Sequence, residues 1–244
     1  MLNIIAVLLS GRLFYLTKCT RETYNIYMKK QLTLLILTIL ILPLVAQARQ
    51  DSFVISVPFT PQAPLAEWHD QRQQDGCEEA VVAMAMAWIG DEENISKENW
   101  RLRILILSDF EWRKIGEYRD VSLEDIQEVL FRKYFGYKDT RIEEVNDAQD
   151  IITELEKGRV ILTPMDGRLL GNPYFNPPGP GRHMILIKGY DYDTNEFIVN
   201  DPGTRRGDSF KYHEDVLFEA IREYPTGYHE KIDETEKRMI VVGK

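Results

Sequence analysis

The sequence predicts an α+β domain in which helices come mainly first and the strands of an antiparallel sheet come mainly last. Between residues 77 and 157, apolar side chains recur with helical spacing, whereas after Gly158 they form short runs typical of strands. The chain has 244 residues and is 44% hydrophobic, which is enough to bury one substantial core. Separate runs of helices and strands are typical of α+β folds.

The first half of the domain is predicted to hold one strand and four helices. A strand over Ser52–Phe59 is stopped by the proline-containing segment TPQAP, and a loop continues to Gly76. The helix Cys77–Ile89 is apolar at almost every position after its two glutamates, so we expect it to be buried nearly all round and to end at Gly90. The other helices begin at Ser96, span Ser122–Phe135 behind a capping pattern, and span Ala148–Lys157.

After Gly158 the pattern changes to strands. The predicted strands are RVILTP (159–164), HMILIKGY (183–190), EFIVN (196–200) and RMIVV (238–242), with one helix over residues 213–223. A long loop rich in Gly and Pro lies between the first two strands. DYDTN (191–195) is predicted to be the turn of a hairpin.

Residues 28–48, MKKQLTLLILTILILPLVAQA, have the features of a secretory signal peptide: two lysines, an apolar run and a final Ala-Gln-Ala. The apolar run is shorter than the ~20 residues that a membrane span needs, and an uncleaved membrane anchor is the alternative. Residues 1–27 precede the expected start at Met28. We therefore predict a leader over residues 1–48, a folded domain over 49–244, and a secreted or envelope-located protein.

The charge of the domain argues against a nucleic-acid partner. The whole chain has a formal net charge of −9. Residues 1–48 contain five of its 30 basic and one of its 39 acidic residues, so the domain retains 25 basic and 38 acidic residues, a balance of −13. Proteins that bind nucleic acid usually carry a basic patch or stripe. We expect no nucleic acid as partner.

One cysteine, Cys77, remains in the domain once Cys19 is assigned to the leader. An exported thiol without an intrachain disulfide partner needs a reason, and packing as a small hydrophobe is the simplest. However, the hairpin prediction places His183 opposite a residue within about two positions of Asp201. A thiol at a helix N-terminus, a histidine and an orienting carboxylate are the components of a nucleophilic acyl-transfer site.

These segments together resemble a known peptidase family. VPFTPQ, DGCEEAVVAMA, HMILIKGYD and FIVNDPGTRRG, in that order over roughly residues 57–221, are similar to the C39-like cysteine peptidases of the bacteriocin-processing, double-glycine-leader type, within the papain-like superfamily. The resemblance implies that Cys77 is the nucleophile, His183 the general base and acid, and Asp201 the residue that orients the imidazole. It also implies an oxyanion hole formed by the Gln62 side chain and the Cys77 backbone N–H.

The expected activity is hydrolysis of a peptide or isopeptide bond in a peptide or protein substrate through a thioester, which needs no metal or cofactor. The alternatives are a peptide-binding module without turnover and a thiol acyltransferase. Asn200 could orient the histidine instead of Asp201, and Gln73 or Gln74 could replace Gln62. The family commonly has Cys-Gly-Pro where this chain has Cys77-Glu78-Glu79. These glutamates are predicted either to stabilise the helix end or to select basic substrates in the cleft.

Overall fold

The computed structural model describes residues 5–9, 12–16, 25, 28–32, 51–232 and 235–244. The chain divides into two compact units, Met1–Arg49 and Gln50–Lys244. In the first unit, strands β1 (Ile5–Leu9) and β2 (Arg12–Leu16) pair antiparallel. Residues 33–48 of the predicted signal peptide lie outside the described residues, so the leader stays a prediction. No helix formed by the described residues combines the length and the apolar character that crossing a membrane requires.

The second unit contains a seven-stranded sheet in which every pairing is antiparallel. Its strand order is β4-β9-β5-β6-β7-β8. The seventh strand, β3, pairs with residues 189–191 of β6, beyond the part of β6 that pairs with β5. The strands are β3 (Ser52–Val54), β4 (Thr140–Glu144), β5 (Val160–Met165), β6 (His183–Asp191), β7 (Glu196–Asn200), β8 (Phe210–His213) and β9 (Arg238–Val242). The helices are α1 (Gln71–Gln74), α2 (Cys77–Ile89), α3 (Lys97–Ile115), α4 (Leu123–Tyr134), α5 (Ala148–Glu156) and α6 (Glu214–Ala220).

The sheet separates two hydrophobic cores. Because neighbouring side chains of a strand point to opposite faces, Leu162 of β5 packs into the core that contains α2, whereas Ile161 packs into the core that contains α5 and α6. Strands covered on both faces read as continuous apolar runs, as β5 and β6 do. The α+β class, with N-terminal helices packed on an antiparallel sheet, is thus confirmed, and the later helices cover the opposite face.

Several predicted elements differ in detail from the structure. β3 ends at Val54 rather than Phe59, because the following segment leaves the sheet and Pro58 has no N–H to donate to a ladder. From Ile126 onward α4 is π-helical, and the N–H of Phe135 accordingly donates to the carbonyl of Leu130. The predictions missed α1, β4 and β8, and the last helix is shorter than residues 213–223.

The β6–β7 hairpin positions the candidate site, although its register differs from the predicted one. With DYDTN as the turn, the hairpin prediction places Gly189 roughly opposite Glu196, whereas in the structure Asp191 occupies that place and Gly189 lies opposite Ile198. The loop is therefore shorter than predicted. A bulge at Lys188 then shifts the register back by one residue toward His183. Gly189 is required there, because a Cβ would lie 2.4 Å from the carbonyl oxygen of Phe53 in β3.

Candidate active site

Cys77 is the first residue of α2, as the sequence predicts, and its side chain is 7% exposed. Gly76 precedes it, and a Cβ at Gly76 would lie 2.4 Å from the carbonyl oxygen of Arg72, so only glycine lets α1 and α2 approach this closely. Backbone N–H groups in the first turn of a helix have no intrahelical acceptor. The N–H of Cys77 is therefore suitably placed to stabilise an anion that forms beside the thiol.

His183 begins β6, is 1% exposed and contacts Asp201 directly. Its Nε2 lies 2.8 Å from Asp201 Oδ1. The edge-to-face ring of Phe175, whose centroid is 5.3 Å away, covers the imidazole. The structure thus brings together two residues that are 18 positions apart in the sequence. With Nε2–H donated to a carboxylate, the other ring nitrogen, Nδ1, is left as the proton acceptor.

Asp201 is completely buried and its carboxylate is fully hydrogen-bonded. Oδ1 also accepts from the N–H of Gly203 at 3.0 Å, and Oδ2 accepts from the Tyr212 hydroxyl at 2.6 Å and from the Asn172 amide at 3.1 Å. Burial opposes ionisation, but His183 and these donors outweigh it and hold the pKa of Asp201 below its usual value. The carboxylate is therefore ionised and fixed in orientation at neutral pH.

Asn200, the alternative partner for the histidine, is used elsewhere. Its side-chain amide donates to the carbonyls of Val57 and Pro58, both at 3.3 Å, and its oxygen accepts from the N–H of Ser209. It thereby ties the segment after β3 to the end of β7. The geometry favours Asp201 as the residue that orients the imidazole.

Cys77 and His183 both line one cleft of about 1180 Å³. Gln62 and Gln74 also line it, together with residues of the Gly/Pro-rich loop before β6. Such a volume is large enough for several residues of an extended peptide. Within the described ranges, no three His, Cys, Asp or Glu side chains are grouped as a metal ion would require.

Gln62 lies at the cleft, but its amide is occupied. Its Nε2 donates to the backbone carbonyls of Gln73 at 3.1 Å and Gln74 at 2.7 Å, and its backbone N–H donates to Pro202 at 2.9 Å. Gln62 therefore joins the segment before α2 to the loop after β7. Of the two substitutes, Gln73 is buried and donates to Glu67, whereas Gln74 is exposed and lines the cleft.

The two glutamates after Cys77 are both buried behind the thiol rather than exposed in the cleft. Glu78 Oε2 accepts from the Cys77 thiol at 2.9 Å, and Oε1 accepts from the Tyr224 hydroxyl at 2.7 Å. Glu79 accepts from Ser108 at 2.5 Å and lies beside Glu111, which is also buried. Neither glutamate lines the cleft, so this geometry does not support selection of basic substrates by them.

The buried environment around Cys77 raises the pKa of four acidic groups: the Cys77 thiol and the carboxyl groups of Glu78, Glu79 and Glu111. Burial, followed by the charge of Glu78, raises the pKa of the Cys77 thiol. Burial raises the pKa of Glu78 to about 7 and places those of Glu79 and Glu111 well above the usual range. At neutral pH the resting thiol is thus protonated and donates to Glu78, so a catalytic step would have to move its proton to His183.

Glu78→Gln is expected to lower the pKa of the Cys77 thiol, because it removes the charge that disfavours the thiolate while keeping the size of the side chain. Glu79→Gln should lower it less, since Glu79 contacts Ser108 rather than the thiol. Iodoacetamide alkylation against pH, mapped by mass spectrometry to the peptide that contains Cys77, measures the effect. Glu98→Gln, in the first turn of α3, is the matched control. An unchanged alkylation profile in both variants would leave the glutamates as helix-end residues only.

Sequence reasoning missed three contributors to the site: Asn172, Tyr212 and Tyr224. Asn172 and Tyr212 hold Asp201, and Tyr224 holds Glu78. Tyr212 had a usable signal, since FKYH before a predicted helix alternates as a short strand does. Asn172 lies in a Gly/Pro-rich loop and Tyr224 follows α6, and neither position has a periodic pattern.

The model of the Peptidase C39-like family matches residues 54–229. The chain is also similar to a crystal structure from Bacillus anthracis of a protein assigned as a C39-like peptidase, with 14% identity, a TM-score of 0.49, and coverage of 80% of this chain and 98% of the other. No curated protein matches the sequence. The family match covers all four residues predicted for the site.

Proposed function

Because the chain belongs to the Peptidase C39-like family, we propose that it is a thiol peptidase that hydrolyses a peptide or isopeptide bond through a thioester intermediate. Family membership supports a peptidase-type function in general. The finer proposal is carried by one observation, which is that the hydrogen-bonded pair His183–Asp201 and the helix-terminal Cys77 line the same cleft.

The proposed reaction follows from the protonation states at the site. The Cys77 thiol gives its proton to His183 Nδ1, and the thiolate attacks the carbonyl carbon of the scissile bond. The C–N bond breaks as the imidazolium protonates the leaving amine, which leaves a thioester on Cys77. A water molecule then gives a proton to the imidazole and attacks the thioester. The C–S bond breaks, the acid product is released, and the imidazolium returns its proton to the Cys77 thiolate.

Asp201 stabilises the imidazolium in both halves of this reaction, because its pKa is low and its second oxygen is held by Tyr212 and Asn172. The N–H of Cys77 and the Gln62 amide are the proposed donors to the oxyanion. Gln62 would have to exchange one of its two backbone acceptors for the substrate oxygen.

Gln62→Ala is expected to lower kcat by roughly 10²-fold or more with little change in KM, because an oxyanion donor acts mainly on charge that develops in the transition state. Steady-state kinetics on a cleaved peptide measure this. Gln74→Ala is the matched comparison, since Gln74 lines the same cleft with an exposed side chain. Kinetics of Gln62→Ala equal to those of the parent, or a loss that appears in Gln74→Ala alone, would remove Gln62 from the site.

The rival function that uses the same residues is acyl transfer from the Cys77 thioester to an amine. The two are separated by adding a labelled amine to the peptide reaction and following both products by mass spectrometry. We expect the free acid to predominate, and an amide as the main product would assign a transferase. A binding module without turnover would give neither product.

We also propose that the domain is exported, since residues 28–48 have signal-peptide features. Expressed from Met28 in a bacterial host, the exported protein is expected to begin at Arg49, because Ala46-Gln47-Ala48 fits the small-residue cleavage pattern. N-terminal sequencing of the envelope and secreted fractions measures this. An intact N-terminus in the membrane fraction would instead show an anchor.

A further inference from the structure

Two arginines that form no ion pair line the candidate cleft. Within residues 51–232 and 235–244 there are fourteen arginines, and eleven of them form salt bridges. Of the remaining three, Arg113 lies outside the cleft lining. Arg205 and Arg206 form no salt bridge either, although the domain carries a formal balance of −13. Both are exposed and both line the cleft that contains Cys77 and His183. Among the arginines of these two ranges, a guanidinium group without an ion pair is therefore the exception.

The loop that carries these arginines is fixed next to the histidine. It begins at Asp201 and ends at Gly207, where the N–H of Asp201 donates to the Gly207 carbonyl at 2.9 Å. Gly203, within the loop, is so close to the imidazole that a Cβ there would lie 3.0 Å from His183 Cε1. The N–H of Arg206 donates to the Thr204 hydroxyl at 3.2 Å. The two guanidinium groups therefore extend from a short, hydrogen-bonded turn that also holds the catalytic pair.

Arg206 is further oriented by an aromatic ring. Its guanidinium carbon lies 4.7 Å from the ring centroid of Tyr174, which also lines the cleft. A guanidinium that stacks on an aromatic ring keeps its N–H groups free to bind an anion near the ring. The Arg205 side chain has no hydrogen-bond, ion-pair or aromatic partner among the described residues.

The acidic side chains that line the cleft already have partners. Asp120 accepts from the N–H of His229 at 2.7 Å and pairs with Arg182 at 3.6 Å. Asp75 accepts from the Gln71 side-chain amide, and burial raises its pKa. Glu78 and Glu79 lie outside the cleft lining. The charged side chains of the lining are Arg182, Arg205 and Arg206 against Asp75 and Asp120, a balance of +1, in contrast to the acidic domain as a whole.

We propose that Arg205 and Arg206 bind a carboxylate of the peptide substrate close to the scissile bond. This rests on the proposed function for the identity of the substrate as a peptide. Arginine binds carboxylates through two parallel N–H···O bonds, which gives both affinity and orientation. The carboxylate could belong to an Asp or Glu side chain or to the free C-terminus of the peptide, and both present the same group.

The test measures binding in the full chain carrying Cys77→Ala, so that it does not depend on turnover. The probe is a random octapeptide library made in two forms, with a free C-terminal carboxylate and with a C-terminal amide. Immobilised protein retains peptides from each form, and mass spectrometry gives the enrichment of Asp and Glu over Asn and Gln. We expect about fivefold enrichment or more, the ratio that corresponds to ~1 kcal/mol for a partly exposed charge pair.

The variant Arg205→Gln with Arg206→Gln should abolish the enrichment. The matched control, Arg113→Gln with Lys138→Gln, removes the same charge from exposed positions outside the cleft lining and should retain it. Enrichment in the amide library assigns an acidic side chain, whereas preference for the free-acid library alone assigns the C-terminus. Equal retention by the double variant and its parent, or no preference for either carboxylate, would overturn the proposal.

A hydrolysis assay with the wild-type chain, run beside the binding test, distinguishes failure of this proposal from failure of the proposed function. Acid-selective binding without hydrolysis by the wild-type chain would support the arginine site and remove the peptidase. Hydrolysis of peptides without any preference for acidic groups would support the peptidase and remove the arginine site. Enrichment that falls when NaCl is raised from 0.05 to 0.5 M is the further expected sign of a charge interaction.

Discussion

Cys77→Ala is expected to abolish peptide hydrolysis while leaving the domain folded. Loss of the nucleophile removes the covalent step, and kcat should fall by roughly 10⁴-fold or more, to the limit of detection. The cost in stability should be small, because the change removes one atom at a helix start and leaves Glu78 without one donor, ~1 kcal/mol in all. Product formation from a peptide library and the melting temperature are measured on the same preparation.

His183→Ala should also abolish hydrolysis, since no other base in the described structure pairs with Asp201 at the cleft. If Cys77→Ala instead melts the domain, and the parent has no activity to lose, then Cys77 is a core residue and the peptidase proposal is wrong. Cys77→Ser keeps a hydrogen-bond donor to Glu78 and shows whether any loss of stability comes from that bond.

Asp201→Asn is expected to lower kcat by roughly 10²- to 10⁴-fold, the second largest effect, because the amide keeps the shape but removes the charge that stabilises the imidazolium. It can also present an N–H to Nε2 and so favour the tautomer with its proton on Nδ1, which cannot act as a base. Steady-state kinetics and the pH profile of kcat/KM measure the loss.

Asn200→Ala is the matched control for this prediction. It removes donors to two backbone carbonyls and should cost stability, but the folded fraction should turn over at nearly the parental rate. A large loss of kcat in Asn200→Ala with little in Asp201→Asn would assign the orienting role to the asparagine instead.

Asp201 also gives a pH dependence of stability. Its pKa in the folded state is lowered, so its contribution is present above the ordinary pKa of aspartate, ~3.9, and is lost as the pH falls through the folded value. The difference in stability between the parent and Asp201→Asn should therefore shrink below about pH 4. The buried Glu79 and Glu111 act in the opposite sense, because their raised pKa values favour the folded state at acid pH.

Much of the fold could be predicted from the sequence because its central elements have strong apolar patterns. α2, β5, β6, β7 and β9 are buried on both sides or all round, and their runs of apolar residues are unambiguous. β4, TRIEE, and β8, FKYH, lie at the two edges of the sheet, where charged residues are tolerated and the pattern is weak.

The pairing of His183 with Asp201 could be predicted from the hairpin alone, even though the register at the turn was wrong by two residues. The bulge at Lys188 compensates for half of that error before the strand reaches His183. The burial of Glu78 against Tyr224, 146 residues away, and the absence of ion pairs at Arg205 and Arg206 depend on tertiary packing. No local sequence pattern reports them.

The most direct test of the account is to find the acyl group on Cys77 during turnover. The full chain is mixed with a cleaved peptide, quenched in acid within milliseconds to seconds, digested and mapped by mass spectrometry, which separates Cys77 from Cys19. We predict that the N-terminal part of the substrate is attached to Cys77 as a thioester, and that Cys77→Ala and His183→Ala show no such adduct. Hydrolysis that proceeds with Cys77 unmodified at every time point, or that persists in Cys77→Ala, would contradict the account.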